Sequence, residues 1–195
     1  ISDGSGNLSF GNAGGGGTGK NYITNSDCAS SVVTPWAAYA DAAATTAVDG
    51  TGGSATVTIT ANTSSPLSDD ADFLITKDGS IRQGEGVGCA FTIDNADKAK
   101  KMIISFDYTT STDYADDDIK VFVYDVTNTT LIRVNGENLK AVSGTSKHYA
   151  QFQTASNSTS YRLILHCSST NASAYTVNFD TTHVGPQEIS HGAII

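Results

Sequence analysis

Tyr175-Thr-Val-Asn-Phe-Asp-Thr-Thr-His-Val-Gly-Pro186 decides the fold class of this 195-residue chain. Tyr175, Val177 and Phe179 share one face at a period of two, and Thr176, Asn178 and Asp180 share the other. That is the pattern of a strand with one side buried and one in water. Gly185-Pro186 punctuates its exit, so the stretch reads as the closing strand of a β-sandwich.

Partners for such a strand lie upstream. Residues 21–29 read as a short opening strand running into a turn, residues 55–60 and 88–93 alternate, and 73–76 form a short apolar run. In 102–109, Met102, Ile104, Phe106 and Tyr108 share a face. Further extended segments are expected at 119–124, 131–134, 148–154 and 161–166, with loops at 68–72, 77–80 and 135–138. Residues 94–101 form a polar bridge with room for one helical turn. Residues 37–47 are rich in alanine and friendly to helix, but they carry no apolar stripe and end in the turn 49–53. About nine short strands at roughly ten-residue spacing predict an all-β sandwich or jelly roll rather than a parallel sheet with crossover helices.

Composition agrees. Charged residues are 16% of the chain, and Ser, Thr, Asn and Gly fill the polar positions, which suits sheets with uncharged faces. With 20 acidic against 11 basic residues the net charge is −9, which argues against nucleic acid and against an anionic membrane surface. No apolar run is long enough to span a bilayer, and no charged-then-apolar leader is present. The chain starts on Ile1, and we expect it to be a piece of something longer. Cys28, Cys89 and Cys167 show no CxxC spacing, so free buried thiols are expected, with one disulfide as the alternative.

Residues 1–19 hold the run Gly14 to Gly17 and read as a Gly-rich tether, residues 20–186 as the sandwich domain, and 187–195 as a linker to a following region. Gly14 and Gly19-Lys20 fit P-loop spacing. However, Asn21 stands where Ser or Thr would hold magnesium, and neither a preceding strand nor a following helix is visible.

Three landmarks occur in order: Asn21-Tyr-Ile-Thr-Asn-Ser-Asp27 followed by Trp36, Met102-Ile-Ile-Ser-Phe-Asp-Tyr108, and Phe179-Asp-Thr-Thr-His-Val184. Together, over about residues 20–186, they resemble the jelly-roll (galactose-binding-like) carbohydrate-binding modules of the family 4, 9 and 22 type. That resemblance implies a structural calcium where the first and last strands meet. Asp180 matches one ligand position, and Asp27 is the nearest acid to the other, where the family's Phe-Glu is Cys28-Ala29. The other reading of Asp180 is a solvated strand-end carboxylate. The flanks, Gly6-Asn-Leu-Ser-Phe-Gly-Asn12 before the domain and Gly192-Ala-Ile-Ile195 after it, look like the sandwich domains of bacteriophage tail fibres. By that likeness the chain would be a non-enzymatic, extracellular virion component, a homotrimer by analogy, presenting loops to a host glycan or spacing its neighbours. The alternatives are a carbohydrate-binding module of a secreted bacterial glycoside hydrolase and a subunit of a self-assembling extracellular filament.

No enzyme chemistry is indicated. Asp107 with Asp113, Asp116, Asp117 or Asp118 could pair for glycoside hydrolysis, but no spacing holds two of them at a working separation. The histidines show no HxH or HExxH pattern, and no Gly-x-Ser-x-Gly elbow is present. Glycosylation sequons at Asn7, Asn62, Asn128, Asn157 and Asn171 follow from the Ser/Thr content. Sugar binding needs an aromatic face and uncharged hydrogen-bond groups, for which Tyr39, Tyr108, Tyr114 and Tyr149 are the candidates. Each also reads as a core residue with its hydroxyl in water. Trp36 reads as a core anchor in preference to a sugar platform.

Overall fold

A computed structural model describes residues 19–68 and 70–187. They form ten strands: β1 (Ala37–Ala40), β2 (Thr58–Asn62), β3 (Asp72–Lys77), β4 (Glu85–Thr92), β5 (Lys101–Thr110), β6 (Ile119–Asp125), β7 (Thr130–Asn138), β8 (Ser146–Gln153), β9 (Ser160–Cys167) and β10 (Tyr175–Pro186). Helix is confined to 3-10 turns at Ala29–Ser31 and Asn95–Asp97. The tethers expected at 1–19 and 187–195 lie outside the described residues, save Gly19 and Gln187.

All pairings are antiparallel, and the order is β1-β4-β9-β6-β7-β8-β5-β10-β3-β2. The ribbon folds over at β7. This strand pairs with β6 over Thr130–Arg133, bulges out to touch β8 at Asn135↔Gln151, and returns to β6 at Asn138↔Lys120. Two layers result, β1-β4-β9-β6-β7 and β8-β5-β10-β3-β2, with one apolar core between them. The fold is an all-β jelly roll.

β10 sits between β5 and β3 with Tyr175, Val177 and Phe179 buried, as its alternation requires. It does not stop at Asp180. A bulge between Asp180 and His183, with Thr181 at φ 51°, absorbs the extra residues and returns Val184 to the core face. Trp36 is a core residue, its ring 5.0 Å from Phe179 and 5.7 Å from Phe73. Cys28, Cys89 and Cys167 are free and buried.

Three segments differ from expectation. Residues 21–29 are irregular, because Asn21 replaces a ladder with side-chain bonds. Its Nδ2 donates to Thr182 O (2.8 Å) and its Oδ1 accepts from Val184 N (3.0 Å), beside one backbone bond from Tyr22 N to Val184 O (2.8 Å). Residues 135–138 continue β7 rather than forming a loop. Gly136, at φ 90°, lies against the Tyr149 backbone where the ribbon turns. The alanine-rich 37–47 is no helix: it splits into β1 and a strap, residues 41–53, laid across the outer face of the first layer.

Candidate functional site

Two sheet faces point away from the core, and the chain treats them differently. On the first layer, Tyr39 of β1, Phe122 of β6, and Ile164 and His166 of β9 face outward by register, yet all are buried, because the strap covers them. Ala47 packs onto this cluster. Gly50 lies so close that a Cβ there would stand 2.6 Å from Ile164, at a φ of 70° that already favours glycine. Asp41 holds the strap's turn, its Oδ2 accepting from the N–H groups of Val48 (2.8 Å), Asp49 (3.3 Å) and Gly50 (3.2 Å). β9 grips it from below: Arg162 donates to Asp49 O (2.5 Å), and His166 Nε2 lies 3.0 Å from Ala44 O.

The second layer is open. Tyr149 of β8 is 64% exposed and is the one exposed aromatic side chain among the described residues. It pairs with Ser105 of β5, next to Gln151↔Ile103 on one side and Lys147↔Asp107 on the other. A shallow depression of about 320 Å³ beside it is lined by Asn135, Gly136 and Gln151. An aromatic face beside two amides and a hydroxyl, with Ile103 and the Lys147–Asp107 pair at its sides, has the chemistry to receive a sugar ring: the apolar face stacks, and polar groups take its hydroxyls.

The other expected aromatics are not available. Tyr39 is 1% exposed, with its hydroxyl 2.6 Å from His166 Nδ1. Tyr114 is buried with its hydroxyl donating to Leu139 O at 2.9 Å, and Tyr108 is buried against Phe106 and His148. Their rings belong to the packing of the sandwich, so of the four tyrosines only Tyr149 can stack on a ligand. Each carboxylate weighed for hydrolysis, apart from Asp113, is tied into local structure. Asp107 pairs with Lys147 (3.2 Å) and accepts from Thr181 Oγ1 (2.7 Å), while Asp116 and Asp117 pair with Lys140. Asp118 is buried, accepting from Ala115 N and from the Ser169 and Asn171 side chains.

Where the opening segment meets β10, acids gather. Asp180 and Asp72 are fully buried, and Asp27 and Asp70 line a depression beside Cys28. Both Asp72 oxygens are satisfied, by Asn178 Nδ2 and Leu67 N at 2.8 Å. Asp180 Oδ2 accepts from Ser68 Oγ, but its Oδ1 is buried without a partner, as is Thr182 Oγ1. Burial, then the charges of Asp72 and Asp27, hold the Asp180 carboxyl above the usual carboxylate range. Burial pushes the Cys28 thiol up to about 11, helped by Asp180, Asp72 and Asp27. A buried carboxylate oxygen facing other acids fits a cation. Among the described residues, however, no group of three His, Cys, Asp or Glu is placed to hold a metal by itself, so backbone carbonyls and water would have to complete the shell.

No family model matches the chain, and no curated protein matches its sequence. Solved structures do match in shape. The CBM22-1 xylan-binding domain from Paenibacillus barcinonensis Xyn10C aligns with a TM-score of 0.57 at 15% identity over 84% of this chain and 93% of that one. The CBM22-1-GH10 modules of Clostridium thermocellum xylanase 10B, complexed with xylohexaose, align at 0.57 and 12% over 90% of this chain and 30% of that one. The enzymatically active domain of bacteriophage CBA120 tailspike protein 4 aligns at 0.56 and 10% over 86% of this chain and 21% of that one. At these identities the likeness establishes the jelly-roll fold that this chain shares with those domains, and the fold alone.

Proposed function

We propose that this chain is a non-catalytic carbohydrate-binding module whose contact surface is the outer face of the second layer, centred on Tyr149. The observation that carries the reading is the exposed Tyr149 ring, standing among Ser105, Gln151 and Asn135 on a fold shared with xylan-binding domains. Attachment to a glycan-degrading enzyme is favoured over a virion role. The xylan-binding domain is matched over nearly its whole length, whereas the tailspike is matched over a fifth. Among the described residues no helix is long and apolar enough to cross a membrane.

The test is calorimetric titration with xylohexaose, alongside an array of plant and bacterial polysaccharides. Binding should be found, and Tyr149→Ala should weaken it about tenfold, the worth of one aromatic stacking contact, with the melting temperature unchanged. Silence across the array, or Tyr149→Ala binding as tightly as the parent, would overturn the proposal. As a second element of this reading, Asp180, with Asp72 and Asp27 near it, holds a structural calcium. The unpartnered Asp180 Oδ1 favours this over a solvated carboxylate, since Asp180 is fully buried.

A further inference from the structure

The two layers come together on one side of the sandwich, where β7 passes to β8, and end on the other side at β1 and β2. The β1 margin is dressed. Ala40 N donates to Gly52 O (3.0 Å), so the strap occupies it, while Asp41 N to Gly84 O (2.7 Å) extends the β1–β4 ladder on the opposite edge. At the β2 margin, Thr58–Asn62 ladders with β3 on one edge, and among the described residues no backbone bond reaches its other edge. Ile59 and Ala61 point inward but are only partly buried, core side chains left at an open border. From Gly50 to Ser68 there is no Asp, Glu, Lys or Arg, in a chain of net charge −9. Sheet proteins protect free edges with charge, proline or a bulge, and within β2 none of the three is present.

We propose that β2 is an association edge, and that its occupant is β2 of a second copy, paired antiparallel about a two-fold axis at Thr60. The strand is complementary to itself in that register. Thr60 meets Thr60, Ile59 of each copy meets Ala61 of the other on the core side, and Thr58 meets Asn62 on the outer side. Pairing satisfies the free edge, completes the burial of Ile59 and Ala61, and brings the copies together along a stretch where neither carries charge. Two five-stranded layers become one ten-stranded sheet. The open face carrying Tyr149 belongs to that same sheet, so the dimer displays two copies of the surface.

Sedimentation of the full chain over about 1 µM to 1 mM, at low and high salt, tests this. The chain should show a monomer–dimer equilibrium. Thr60 is exposed, so Thr60→Lys leaves the fold intact while setting two ammonium groups opposite each other, and dimerisation should weaken by about fivefold or more. The double variant Thr58→Lys/Asn62→Asp sets opposite charges across the axis, and it should tighten the dimer at low salt relative to the parent. Aspartate keeps the oxygen that accepts from Ser64 N (3.2 Å) and gives up only the exposed bond from Asn62 Nδ2 to Ser65 O (3.2 Å), so the turn after β2 keeps its backbone anchor. A monomer at every concentration, or an assembly indifferent to Thr60→Lys, would overturn the proposal.

Discussion

His148 projects from β8 into the core, its ring 4.9 Å from Phe106 and edge-on to Tyr108, with Nε2 buried and unpartnered. Burial pushes its pKa down from 6.5 to about 4. The sign follows from proton counting. Between these two values the unfolded chain binds a proton that the folded chain refuses, so stability is full above pH 6.5 and falls as pH drops toward 4. The loss approaches about 3 kcal/mol by pH 4. Urea unfolding at pH 7 and pH 4.5 should show it, and His148→Phe should flatten that part of the profile. At this scale the burial of Tyr108 was legible: it shares its face with Met102, Ile104 and Phe106. So was Tyr149, which alternates with His148, Ala150 and Phe152 and therefore points outward. Tyr39 was not, since a run of alanines has no periodicity to place it. Its position depends on β1 lying beside Gly86 of β4, a contact with no local trace.

The strap is the element that most sets this jelly roll's surface, and composition gave it no structure of its own. Residues 41–53 bury little of their own side-chain surface, with Ala47 their one buried side chain, while covering Tyr39, Phe122 and Ile164. They stay down because Asp41 gathers three N–H groups and because Arg162 and His166 hold two carbonyls. Asp41→Ala would leave those N–H groups without their charged acceptor, a loss of about 2 kcal/mol. Hydrogen exchange should accelerate at Val48, Asp49 and Gly50 ahead of global unfolding, while the β5 and β10 amides keep their protection. Equal acceleration everywhere would mean the strap is no separate unit. Helix-friendly composition without an apolar stripe led to no helix here, because alanine propensity is a weak preference and tertiary contacts from β9 decided the matter. Residues 135–138 failed in the other direction. Asn-Gly reads as a turn, but Gly136 sits instead in the bulge by which β7 touches β8 before Asn138 returns to Lys120 of β6.

For the molecule as a whole, the closing strand is where everything meets. β10 lies mid-sheet, Phe179 stacks on Phe73 and touches Trp36, and the opening segment is hung on it through Asn21 and Tyr22. Asp180 stands at that junction as a buried acid with its ionised form disfavoured. Without a cation, the raised carboxyl means that the folded chain binds its proton more readily than the unfolded one. Stability from this group is therefore present at low pH and lost as pH rises through the folded value, opposite in sign to His148. The proposed calcium would reverse the situation by supplying the positive charge that Asp72 and Asp27 cannot. At a free concentration about a hundredfold above the dissociation constant it would add about 2.7 kcal/mol, or roughly 5–10 °C for a domain of this size. Calorimetric melts at neutral pH in EDTA and in millimolar calcium should differ by that amount, with Trp36 emission and the sheet signal moving together because one core joins both layers. Asp180→Asn should melt higher than the parent in EDTA, since it removes a buried charge, and should gain nothing from calcium. A calcium shift that survives in Asp180→Asn would place the cation elsewhere, and no shift in the parent would leave the Asp180 oxygen to water alone.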